Sequence, residues 1–258
     1  MLCHPELWSA AVGWEKNGAG KDVDAHGDHT MSTHEPLSPA VLAPARHPQT
    51  VRSAALHHAV RRDLLRLERV LDEPMTAVRR QAVIGHVGFL LDQLTAQHQL
   101  LDRSIWPAAV LRRPDLADLA EWVRNAHQDL RPAVVVVRNA TLGWSRSALT
   151  RLTVLSAVRE LNDRVGPVID QDADLLPLAC EALPPAAAEV ERRIRLENPT
   201  RLARRLFWLL DDLDARQAEL LLQRTPPAVM WILRNGFSGG YNRSSYLMWG
   251  GGGTGPAV

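Results

Sequence analysis

From Ser53 onward the chain is written in helical phase, and that limits its fold more than any motif does. His57, Val60, Leu64, Leu67 and Leu71 recur at alternating steps of three and four, which lines them along one helix face. His57 therefore shares a stripe with core leucines, while His58 is turned about 100° toward its edge. This helix ends near Glu73-Pro74. A second spans about 76–105 and carries two stripes rotated by one residue. Val83, Val87, Leu90, Leu94, Gln97 and Leu101 make one; Ile84, Val87, Leu91, Leu94, His98, Leu101 and Ile105 make the other. Periodicity leaves open which of Gln97 and His98 faces the centre.

A third helix starts at Pro114-Asp115 and keeps Leu116, Ala120, Val123, His127, Leu130, Val134 and Val137 in phase. Pro132 lacks an N–H and is expected to kink or interrupt it. The β-branched run AVVVV that follows reads as helix because its neighbours do. A fourth helix covers about 146–165, breaks at Gly166-Pro167, and is followed by the short segment VIDQDADLLP. Shorter helices are expected over 186–197, 200–212, 214–224 and 228–235, then a glycine-rich end. The expected organisation is all-α, with a disordered leader over 1–50, a helical bundle over 51–180, a helical extension over 181–236 and a flexible tail over 237–258.

At 258 residues and 46% apolar composition the chain can bury a full core. Its net charge is +1 with acids and bases interspersed, so no basic stripe marks a nucleic-acid face. No apolar run approaches eighteen residues and no signal-peptide order opens the chain, which predicts a cytoplasmic protein that does not enter a membrane. Cys3 and Cys180 lie too far apart in sequence to suggest a disulfide framework. His26, His29 and His34, near Asp24 and Asp28, lack a scaffold to fix metal geometry.

The stretch QHQLLDRSIWP, residues 97–107, concentrates the candidate chemistry. His98 and Asp102 stand one turn apart on one face and can point at one ion or one ligand. Arg61, a turn after His57, can pair with an acid or a substrate anion. Trp231, Tyr241, Tyr246 and Trp249 cluster near the C-terminus, where aromatic residues serve as packing anchors.

With the helices placed, residues 53–180 resemble the hemerythrin-like, HHE-type cation-binding family, in a divergent form with an extension like that of some actinobacterial members. The segments HHAVRRDLLRL and ADLAEWVRNAH carry the likeness, and they put His57 and His127 at ligand positions. The resemblance implies a four-helix bundle with a dinuclear iron site. Counting back from Trp106-Pro107, however, the ligand histidine falls on Gln97 and the bridging glutamate on Leu101. Counting back from Leu176-Pro177, the expected histidine and glutamate fall on Pro167 and Gln171. No histidine follows His127, so the five-histidine site cannot be assembled.

Three functions follow as expectations. The first is a metal-free central pocket lined by His57, His98, Asp102 and His127, with Gln97, Leu101, Arg61 and Gln171. It would take a small organic ligand, as an acid–base enzyme of specialised metabolism with no cofactor. The second is a single iron or zinc held by His57, His127 and Asp102, or by His98 with Asp102 and one of them. The third is a partner-binding regulatory module whose histidines are satisfied within the core.

Overall fold

The computed structural model describes residues 47–183, 199–213, 215–223, 225, 229–231 and 238–250. Among them there is no β-strand, so the chain is all-α. Helix α1 runs Pro48–Asp72, α2 Ala77–Leu100, α3 Trp106–Arg112, α4 Ala117–Arg146 and α5 Arg151–Glu181. The shorter α6 (Pro199–Leu210), α7 (Ala215–Leu222) and α8 (Ser238–Trp249) follow. No helix among the described residues is long and apolar enough to cross a membrane.

Helix α1 starts five residues before the apolar phase at Ser53. The His47 side chain accepts from the Gln49 N–H at 3.2 Å, and Pro48 opens the first turn with its φ already set. Thr76 caps α2 in the same way, accepting from the Arg79 N–H at 3.2 Å. Between α2 and α3, residues Leu101–Ile105 form a π-helical turn. Pro107 explains its position: the ring cannot donate to the Arg103 carbonyl and crowds it, so the preceding turn widens by one residue.

Two expected interruptions do not occur. Helix α4 passes through Pro132 and the AVVVV run, and α5 passes through Gly166, Pro167 and Pro177 without ending. Helix α5 packs along both α1 and α4, and α2 packs beside α1 and α4. Burial of Val158, Leu161, Val165, Val168 and Ile169, each contributing about 1.5–3 kcal/mol, outweighs one lost helical bond. Replacing the exposed Pro132 by alanine should accordingly raise stability, by up to about 3 kcal/mol, measured as the shift in urea midpoint.

Part of the glycine-rich end expected as a loop is helical instead: Ser238–Trp249 is helix α8. Its anchors are aromatic. Tyr241 stacks on Phe207 at 5.8 Å, Trp249 meets the His86 ring edge-on at 5.2 Å, and Arg79 Nε donates to the Met248 carbonyl at 3.1 Å. Of the other expected segments, 1–46, 186–197 and 251–258 lie outside the described residues, as does most of 228–235.

One buried carboxylate ties this C-terminal part to α1 and α2. Asp63, 1% exposed, accepts from Arg62 Nε at 2.8 Å, from His86 Nε2 at 2.6 Å and from Trp208 Nε1 at 2.7 Å. Arg62 also donates to the carbonyls of Trp208 and Asp211, and Arg66 pairs with the Asp211 carboxylate at 2.7 Å. Burial alone would raise the Asp63 pKa, but its donors and the Arg62 charge hold it well below the ordinary carboxylate range.

The apolar core falls into two clusters. The larger joins Leu56–Leu71 of α1, Val83–Leu94 of α2, Leu130–Trp144 of α4 and Val154–Ile169 of α5 to α6. The smaller joins Leu101, Ile105, Trp106, Leu116, Ala120, Val123, Leu176 and Cys180. Between Leu94 and Leu101, between Leu130 and Val123, and between Ile169 and Leu176, the inward positions are polar.

Candidate metal centre

That polar layer receives one histidine or aspartate from each of the four long helices. His57 comes from α1, His98 from α2, His127 from α4 and Asp172 from α5, and all four are buried. His127 is the hub. Its Nδ1 lies 2.6 Å from Asp102 Oδ1, and its Nε2 lies 3.1 and 3.3 Å from the two oxygens of Asp172. His98 stacks on it, ring centroids 4.1 Å apart and 6° from parallel. One nitrogen of His98, one of His127 and one oxygen of Asp172 lie within 4.8 Å of one another. His57 Nε2 approaches from the α1 side, 3.5 Å from Asp172 Oδ2.

Charge is distributed unevenly in this layer. Burial would lower the His127 pKa, but the two carboxylates that accept its N–H groups outweigh it and hold the ring at about 9, as an imidazolium. Burial, and then the charged His127 ring, push His98 down to about 3, so it is neutral. Burial of Asp172 is outweighed by His127 and His57, which keep it ionised well below its ordinary value. Satisfaction is uneven too. The Nε2 atoms of His57 and His98 are buried with no hydrogen-bond partner, and a buried unsatisfied polar group typically costs about 1–3 kcal/mol.

Gln97 and His98 both face inward, toward different neighbours. Gln97 Nε2 donates to Ser53 Oγ on α1 at 2.6 Å, and Gln49 Nε2 donates to the same oxygen at 3.4 Å. The remaining expected pocket residues are placed otherwise. Leu101 is fully buried in the smaller apolar cluster. Arg61 lies at the surface, donating to the Gly166 carbonyl at 2.9 Å and pairing with the exposed Asp170 at 2.5 Å, so it does not enter the layer. Gln171 is partly buried with an unpartnered amide nitrogen, and its neighbour Asp172 takes the central position. Asp102 reaches His127 rather than a point shared with His98.

Asp172 is the residue that sequence reasoning missed. Breaking the fourth helix at Gly166-Pro167 discarded the phase that would have found it. Val158, Leu161, Val165, Val168, Asp172, Leu176 and Ala179 continue at steps of three and four straight through the proline. Asp63 and His86 carried a similar signal, each set among the buried aliphatic positions of its helix.

Compared with known proteins, the chain matches no family model, no curated protein and no solved structure.

Proposed function

We propose that the protein is a single-metal protein built on a hemerythrin-like four-helix bundle, holding one divalent first-row ion between His98, His127 and Asp172. The observation that carries this reading is the cluster itself: His98, His127 and Asp172 are all buried, each offers a ligand atom within 4.8 Å of the other two, and His98 Nε2 has no hydrogen-bond partner. An ion would satisfy the nitrogen that the protein alone leaves stranded. Two histidines and one carboxylate are the donor set that zinc and non-haem iron(II) take. The spacing of one ligand pair, His127 with Asp172, agrees as well. Ligand atoms about 2.1 Å from an ion in tetrahedral array lie about 3.4 Å apart, and His127 Nε2 stands 3.1 and 3.3 Å from the Asp172 oxygens.

The chain's own residues have distinct parts in this reading. Asp172 supplies the negative charge. Asp102 accepts from His127 Nδ1, which fixes the ring and directs Nε2 toward Asp172, the outer carboxylate–histidine arrangement common in metal sites. A metal held at Nε2 would require His127 to give up the proton it holds there toward Asp172. Iron(II) at this position would supply redox chemistry, and zinc a Lewis acid or a cross-link.

Calorimetric titration of the full, chelator-stripped chain with zinc, and anaerobically with iron(II), tests the reading. One site per chain is expected, weakened about ten- to a hundredfold by Asp102→Asn. Absence of uptake by the wild-type protein would remove the metal reading. It would favour a second one, for which the stacked His98 and His127, one neutral and one protonated, are the specific support. Such a pair can serve as base and acid toward a small organic ligand without any cofactor.

A further inference from the structure

The C-terminal half of α4 turns aliphatic side chains outward. Val135, Val136 and Leu142 are 54%, 47% and 54% exposed, and Leu149 and Leu152 carry the patch across the turn into α5 at 92% and 62%. Exposed apolar side chains grouped on one face mark an interaction surface. Asn139 sits among them, with Asp129 and Arg146 to either side, all three exposed. Asp129 and Arg146 pair with no other described residue, whereas Arg138 is held by Asp92 of α2 at 2.8 Å. The patch is remote from the undescribed ends of the chain. Arg151 donates to the Leu71 carbonyl at 2.8 Å, which puts the patch at the C-terminal end of α1. Residues 1–46 join at the other end of that helix, about 36 Å away at 1.5 Å per residue. Residues 184–198 follow the far end of α5, and 251–258 follow α8, which packs on α1, α2 and α6.

We infer that this face binds a second copy of the chain, α4 lying antiparallel against α4 with the two-fold axis near Asn139. Residues equally far from Asn139 on its two sides then meet, so Val136 of one copy packs on Leu142 of the other. Asn139 faces its own equivalent, and a single polar pair in an apolar seam fixes register. Pro132, Asn139 and Arg146 recur every seven residues and share one line along the helix. Arg146 of one copy therefore falls opposite Pro132 of the other and within one turn of its Asp129, and the symmetry makes that ion pair twice. A parallel pairing would instead set Asp129 on Asp129 and Arg146 on Arg146. His127 lies on the buried side of α4, so this interface is independent of the metal reading.

Sedimentation equilibrium of the full chain reads the association directly. The mass should rise with concentration from 28.6 kDa toward twice that value. Leu142→Lys should weaken the dimer at least about a hundredfold, because it buries two unpaired ammonium groups. Asp129→Arg or Arg146→Asp alone should weaken it at least about tenfold by setting like charges together. The two combined should restore association to within about threefold of wild type, since the pair is only exchanged. In a Cys3→Ser background, Asn139→Cys treated with diamide should give a covalent dimer, and Asn125→Cys, fourteen residues from the axis, should not. Every substituted position on α4 is exposed, so the variants should fold, with circular dichroism as the check. A chain that is monomeric at every concentration overturns the inference. So does a dimer indifferent to Leu142→Lys, or one that the double reversal fails to restore, because its seam then lies elsewhere or runs parallel.

Discussion

Replacing His127 by alanine should abolish stabilisation by zinc. In wild-type protein, zinc at about a hundred times its dissociation constant should add about 2.7 kcal/mol to the unfolding free energy by mass action. In His127→Ala the increment should vanish, because His127 both supplies a ligand nitrogen and is the ring that Asp102 and Asp172 orient. The metal-free variant should also be weaker than metal-free wild type. Removing the imidazolium strands Asp172 in the interior without its principal donor, and breaking a buried ion pair by deleting one partner typically costs about 3–5 kcal/mol. Urea denaturation of both proteins, with and without zinc, separates the two effects. An equal zinc increment in the variant would place the ion elsewhere.

The second large effect belongs to Asp63, far from the metal layer in function but on the same helix as His57. Asp63→Ala leaves Arg62, His86 and the Trp208 N–H without their shared acceptor, and a loss of about 3–5 kcal/mol is expected. The damage should be local before it is global. Amides of α6 and α8 should exchange with solvent faster than those of α4 and α5, since Trp208 and the ring packing of Trp249 on His86 both depend on this cluster. Zinc stoichiometry should not change.

The same residue sets an acid limit. Because the folded state holds the Asp63 pKa below its unfolded value, its contribution is fully present above about pH 3.9 and is lost as the pH falls below that value. Asp63→Asn should therefore show a shallower loss of stability between about pH 4 and pH 2 than wild type. Parallel curves for the two proteins would show that Asp63 is not the group responsible.

Much of this fold was legible from periodicity. The phase of His57 with Leu64 and Leu71, and of His127 with Val123 and Leu130, correctly placed both histidines inward, because an apolar stripe on a helix must be buried whatever its partners are. What periodicity cannot weigh is a local penalty against tertiary packing. Pro132 and Pro167 each cost a hydrogen bond, and both helices continue because their flanking turns are held by neighbours. The break expected at Pro167 ended the phase that leads to Asp172, and the count back from Leu176-Pro177 gave Gln171 in its place, which hid the carboxylate on which the proposed site depends. The choice between Gln97 and His98 was undecidable for a different reason: the π turn at Leu101–Ile105 resets the register, and both side chains are buried, one toward Ser53 and one toward His127. The glycines of the C-terminal segment likewise argued for a loop, against a helix fixed by Tyr241, Met248 and Trp249.

The most direct test is elemental analysis of the full-length chain purified without a histidine tag or chelator. One divalent ion per chain, lost together in His98→Ala, His127→Ala and Asp172→Ala, is the predicted result. Two irons per chain would contradict the single-ion layer and restore a dinuclear centre. A folded wild-type protein that carries no metal and takes up none on titration would contradict the metal reading altogether.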